Sequence, residues 1–257
     1  MTDSERILTE ALARWTQQNV TRLALRTLFD LAQGPATEML HERNVRFAED
    51  LLTNPAQAEL FLDQAKARKV MPPQEVARQM TEATADSARV ALRAASLIFV
   101  HAMLDSMALD CCRAATWVAP KDCLKFVESR KVDLKAALGE SADSILGRQL
   151  EQFLNQMDHE SLLEKVDYIY SRCKPEAGFA GVGGGYKFDR DKLEHLDQQR
   201  HETVHGKGIR AAEKYSDEDD EYLTQTALHL MALVARSFGM KFDVEFLREK
   251  MAEHDRK

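Results

Sequence analysis

The chain has 257 residues, 44% of them hydrophobic, enough for one large domain or two small ones around a sizeable core. A net charge of −7 argues against broad, non-specific coating of nucleic acid but leaves room for one local basic site. No apolar stretch follows Met1, and the longest apolar run, residues 94–103, is short for a bilayer span and contains Ser96 and His101. Neither a signal peptide nor a membrane partner is expected, and the expected location is the cytoplasm.

Leu8, Leu12, Trp15, Leu23, Leu25, Leu28 and Leu31 recur at close to a helical period, and Gly34-Pro35 is expected to end that helix. Residues 39–52 read as a second helix, stopped by Asn54-Pro55, and residues 56–70 as a third. Pro72-Pro73 opens a long helix to about Trp117, since proline is tolerated in a first turn. Its second half, residues 91–115, is apolar on most faces and is expected to be the central buried helix. Ala119-Pro120 breaks it. Helices follow at 124–138, 141–155 and 160–170.

Residues 174–185 form a glycine-rich connector. It lacks the Gly-Lys-Ser/Thr ending of a phosphate loop and follows no strand, so a linker or a lid over the neighbouring motif is expected. A polar helix at 189–205 ends at Gly206 and Gly208. Ser216 caps a last long helix to Phe238, with Asp217 to Asp220 at its positive end. With no alternating strand pattern, the expected fold is all-α, with an N-terminal helical extension at 1–80 and the main helical domain at 81–257. The four cysteines, Cys111, Cys112, Cys123 and Cys173, form no Cys-x-x-Cys pair and read as reduced, mostly buried thiols.

The chemistry concentrates in residues 200–206, which parse in two ways. As His-Glu-x-x-His, residues 201–205 place two imidazoles about 40° apart on a helix, able to share a zinc ion with Glu202 as base. Glu221 is the candidate third ligand. Against this stand the polar residues before the motif, the helix end just after it, and the lack of a strand to align a peptide. As Arg-x4-His, the same residues supply what metal-free RNA cleavage requires. Imidazole suits proton transfer near neutral pH, and the guanidinium fork pairs with phosphate oxygens. On an ideal helix, five residues separate Arg200 from His205 by about 140°, so His205 must use the helix end to turn toward its partner. Arg190 and His195 share the spacing and are a rival pair.

The string QQRHETVHG at 198–206, with helices before and after it, resembles the Arg-x(4–6)-His motif of the HEPN family of helical nucleic-acid-associated proteins. In that motif a polar residue follows the Arg; here it is His201. Residues 91–112, ALRAASLIFVHAMLDSMALDCC, resemble the family's first core helix, which often carries an acidic or polar residue facing the site; Asp105 matches it. The resemblance covers residues 85–240. It implies a HEPN-like helical bundle, a homodimer with a composite site at its interface, and metal-independent endoribonuclease activity leaving a 2′,3′-cyclic phosphate. Several such proteins act in toxin–antitoxin or antiphage systems, so an antitoxin or regulatory partner is expected alongside RNA. Others only bind RNA or protein, and that is the alternative for this chain. The expected roles are Arg200 as phosphate stabiliser, His205 as acid or base, and His201 and Asp105 as orienting groups. Lys207, Arg210 and Tyr186 are the candidates for RNA contact. No cofactor is expected on this reading; zinc belongs to the other parse. His101, four residues before Asp105, could hydrogen bond to it across one turn.

Overall fold

The computed structural model describes residues 2–53, 73–123, 139–174, 186–206 and 208–242. Every regular element among them is helical. In chain order they are α1 (Asp3–Thr53), α2 (Pro73–Val118), a 3₁₀ turn (Pro120–Cys123), α3 (Ala142–His159), α4 (Leu162–Arg172), α5 (Arg190–His201), a π turn (Glu202–Gly206), a second 3₁₀ turn (Gly208–Ala212) and α6 (Asp217–Ser237). The expected helices at 56–70 and 124–138, and the glycine connector after Lys174, lie outside the described residues.

The chain forms two compact units, Met1–Asn19 with Ala94–Lys257, and Val20–Arg93. The division follows the two long helices rather than one cut near residue 80. In the smaller unit α1 lies against the first part of α2. Ala48 and Ala77 are buried, and the buried amide of Asn44 donates to Thr81 Oγ1 at 3.1 Å. Small side chains permit this approach.

Gly34-Pro35 does not end α1, contrary to the sequence reading: the helix runs through both residues. An internal proline lacks an N–H and crowds the preceding turn, at a cost of about 3 kcal/mol. The helix continues through Pro35 all the same; Ala32 and Ala36, on either side of it, line one groove with Ala85 and Ala88 of α2. Leu23, Leu25, Leu28 and Leu31, whose spacing marked the helix in the sequence, are exposed on α1.

The larger unit holds the main core. Leu97, Val100, Leu104, Met107, Ala108 and Cys111 of α2 are buried at helical spacing, as the central helix should be. Part of α2 is long and apolar enough to cross a membrane by length and composition alone. Here that stretch packs on Leu8 and Ala11 of α1, Val166 and Ile169 of α4, Leu193 and Leu196 of α5, and Leu223, Leu230 and Leu233 of α6. Ser96 fixes its start by donating to the buried Asp220 at 2.8 Å. Arg14 of α1 pairs with the buried Asp110, which Arg113 also reaches at 3.4 Å.

Caps set the element ends. Ser141, Ser161 and Asp189 accept from the backbone of the first turn of α3, α4 and α5. At α6, Ser216 and Asp219 each accept from the other's backbone N–H, as the sequence suggested for Ser216. That helix ends in a paired closure: Met240 N–H donates to Ala235 O at 2.8 Å and Gly239 N–H to Arg236 O at 3.4 Å. Gly239 adopts φ 65°, which glycine alone takes without strain. All four cysteines are free, with Cys111, Cys112 and Cys123 buried.

Candidate functional site

α5 is polar, and only Leu193 and Leu196 are buried along it. Their stripe continues at the same helical spacing as Asp197, Arg200 and His201. The face of α5 that meets the core therefore changes from leucine to charge within one turn. α2 does likewise, with His101 and Asp105 one turn apart beside the buried Val100 and Leu104. Where these polar stretches meet, a cavity of about 600 Å³ opens, within the size range of small-ligand sites. His101, Asp105 and Ser106 of α2 line it, with Asp158, Glu160 and Ser161 from the α3–α4 junction and Asp197, Arg200 and His201 of α5.

Three of the four expected catalytic residues, Asp105, Arg200 and His201, thus face one space from two distant parts of the chain. His205 does not line the cavity; it is exposed just beyond, its ring centroid 5.0 Å from that of His201. The backbone between explains the placement. After His201 the chain leaves the α-helical winding for a wider π turn, a form that recurs at functional sites. The wider turn lessens the rotation separating residues 200 and 205. It is braced from both sides. Thr203, buried, donates its hydroxyl to Gln199 O at 2.8 Å, and the Gln199 amide donates to Ala211 O at 2.9 Å.

His101 and Asp105, which one helical turn would allow to pair, do not bond to each other; His101 is buried and partnered elsewhere. His101 Nε2 lies 2.7 Å from Asp197 Oδ1. Asp105 instead accepts from Lys165 Nζ at 2.8 Å. The two residues share a helix face but each finds its hydrogen-bond partner on another helix, which an isolated periodicity cannot reveal. The hydrogen bond from His101, aided by the charges of Arg200 and His201, holds the Asp197 carboxyl below its ordinary range although burial opposes it. Asp197 is therefore the acceptor, and the proton of that bond sits on His101 Nε2. Arg200 Nε is buried and makes no hydrogen bond among the described residues.

Lys165 is buried to 1% exposure, and its ammonium also reaches Asp158 O at 3.4 Å. It anchors Asp105 from behind the cavity wall. Burial of this kind raises the neighbouring Cys112 thiol well above its usual value, so that sulfur stays protonated.

No family model, curated protein or solved structure matches the chain.

The remaining candidates lie elsewhere. Tyr186 is not at the cavity: it packs on Tyr222 and His229, and its hydroxyl lies 2.9 Å from Thr226 Oγ1. Its phenol, raised by desolvation, is part of an aromatic cluster with Tyr170 and Phe188. Arg210 is exposed on the second 3₁₀ turn, 3.9 Å from Glu213. Lys207 lies outside the described residues. Arg190, of the rival pair, is held by Asp167 at 2.9 and 3.1 Å and by Glu194 at 3.2 Å, away from the cavity. Of the zinc parse, His201 and His205 stand together, while Glu221 accepts from Gln225 on its own helix. Among the described residues no three His, Cys, Asp or Glu side chains are gathered closely enough to hold a metal ion.

Asp197 is the site residue that the sequence reading did not single out, and His101 entered it only as a neighbour of Asp105. The signal for Asp197 was the leucine stripe of α5: extending positions 193 and 196 by one turn reaches 197, 200 and 201.

Proposed function

We propose that the protein is a metal-independent endoribonuclease of HEPN type, acting as a homodimer in stress response or phage defence under an antitoxin or regulatory partner. The observation that carries this reading is Arg200, whose buried Nε lacks a hydrogen bond, facing the same cavity as His201 and Asp105. A guanidinium with an unpartnered Nε among the described residues, at the wall of a cleft, is suited to a phosphate's oxygens. His205 takes the 2′-hydroxyl proton, Arg200 stabilises charge on the phosphorane, and His201 steadies the His205 ring. Asp105, held by Lys165, supplies a fixed acceptor for ribose or base. A 2′,3′-cyclic phosphate and a 5′-hydroxyl result.

The second reading is a non-catalytic RNA- or protein-binding module. It is favoured by the four carboxylates of the lining, Asp105, Asp158, Glu160 and Asp197, which suit a basic partner better than a polyanion. The deciding experiment is RNA cleavage in EDTA. On the ribonuclease reading, Arg200→Ala lowers the rate about 10²–10³-fold, as losing one preorganised donor to a transition-state anion does. Glu202→Gln, which disables the zinc parse, leaves the rate unchanged. Cleavage that persists in His205→Ala overturns the assignment. Wild-type protein that cuts no RNA but captures a basic protein supports the binding module.

A further inference from the structure

Cleavage to a cyclic phosphate moves two protons. One leaves the 2′-hydroxyl as its oxygen attacks phosphorus. The other must reach the 5′-oxygen as the P–O5′ bond breaks. The ribonuclease reading, on which this inference rests, gives His205 the first transfer and assigns no residue of the chain to the second. We propose that His101, oriented by Asp197, is that donor.

The placement carries the argument. His101 lines the cavity from α2, whereas Arg200 and His201 line it from α5 and His205 stands against His201. An in-line displacement needs the attacking and leaving oxygens on opposite sides of phosphorus, so its base and acid belong on different walls. His201 stands beside His205, their ring centroids 5.0 Å apart, on the side of the base and not of the leaving group. Lys165 is a cation near the site, but it is buried behind the cavity wall and committed to Asp105 and the Asp158 carbonyl.

The partner of His101 is also suited to this role. Asp197 Oδ1, as an ionised carboxylate 2.7 Å away, accepts from Nε2 and orients the ring, so the transfer proposed here uses the other nitrogen, Nδ1. The carboxylate complements the doubly protonated ring that an acid must be before it acts. Asp197 is a positioning residue: it acts through His101. In the balanced step, His205 removes the 2′-hydroxyl proton and the 2′-oxygen bonds to phosphorus. The electron pair of the P–O5′ bond passes to O5′, and His101 Nδ1 gives O5′ its proton. No redox partner or further reactant enters.

A change of leaving group separates this role from a structural one. A thiolate leaves without protonation, so an oligoribonucleotide whose cleavable linkage carries sulfur in place of O5′ bypasses the acid. The full-length protein is assayed on this substrate and its oxygen counterpart. His101→Gln is expected to slow the oxygen substrate about 10²–10⁴-fold, the usual range for a proton-transfer group, and to cut the sulfur substrate within a few-fold of wild type. Asp197→Asn is expected to show the same asymmetry at smaller amplitude. His205→Ala loses both substrates, since either leaving group needs the base. Equal slowing of both substrates by His101→Gln, or no slowing, overturns the proposal; if that variant does not fold, the asymmetry of Asp197→Asn decides. Wild-type protein that cuts neither substrate defeats the ribonuclease reading itself. An active wild type without the asymmetry defeats the His101 assignment alone.

Discussion

The Lys165–Asp105 pair makes an asymmetric prediction about stability. The lysine side chain is 1% exposed and its carboxylate partner 38% exposed. Removing the carboxylate by Asp105→Ala strands a buried ammonium whose remaining acceptor among the described residues is a carbonyl 3.4 Å away. Breaking a fully buried pair costs about 3–5 kcal/mol. Water reaches Asp105, which screens the pair, so the expected cost is about 2–3 kcal/mol. At roughly 2–4 °C per kcal/mol for a domain of 150–250 residues, Tm should fall by about 4–12 °C. The reverse change, Lys165→Met, removes the ion and fills the same space, leaving Asp105 to hydrate; it should cost less than about 1.5 kcal/mol. Both tryptophans, Trp15 and Trp117, belong to the larger unit, so urea unfolding followed by their fluorescence reports the unit that holds the pair. The double variant should be about as stable as Lys165→Met alone. A Lys165→Met loss equal to or greater than that of Asp105→Ala would refute the reasoning, because the buried charge would then not be the dominant cost.

Asp197 links the cavity to pH. Its carboxyl is depressed in the folded state, so its contribution to stability is complete above the ordinary aspartate value of 3.8 and is lost as pH falls through the lower folded value. The urea midpoint of Asp197→Asn should therefore lie below wild type at pH 7, with the gap narrowing steadily below pH ~4. Gly239→Ala forces a side chain into φ 65° and should cost about 1–2 kcal/mol in the same assay. Pro35→Ala restores a helical N–H at an exposed site and should stabilise the smaller unit by about 1–2 kcal/mol, part of the roughly 3 kcal/mol defect being offset by a looser unfolded chain. Slower hydrogen exchange of the amides around residue 35 is the readout; unchanged exchange would mean that the helix there is already unstrained.

The all-helical class and the central role of α2 were legible because periodicity and capping are local. Ser216, Pro73 and the break at Pro120 announced themselves in the same way. Gly34-Pro35 misled because a local breaker signal does not by itself end a helix of this length. The site was half legible. Arg200, His201 and Asp105 stood out by residue type and neighbourhood, but their convergence depends on α2 meeting α5, which spacing along one helix does not encode. The partners of His101 and Asp105 were hidden for the same reason. Tyr186 drew notice as an aromatic beside glycines, yet its ring serves the packing around His229.

The π turn after His201 also bears on how such sites are searched for. A segment that ends in tight winding and one that ends in loose winding need different numbers of intervening residues to present the same two side chains. Residue count is then an unreliable key, and a pattern of fixed length misses equivalent sites while matching more than one pair in a chain, as Arg190 and His195 beside Arg200 and His205 illustrate. A search keyed to a buried leucine stripe that gives way to charge, followed by a braced loosening of the backbone, would look for the physical arrangement and not the spelling.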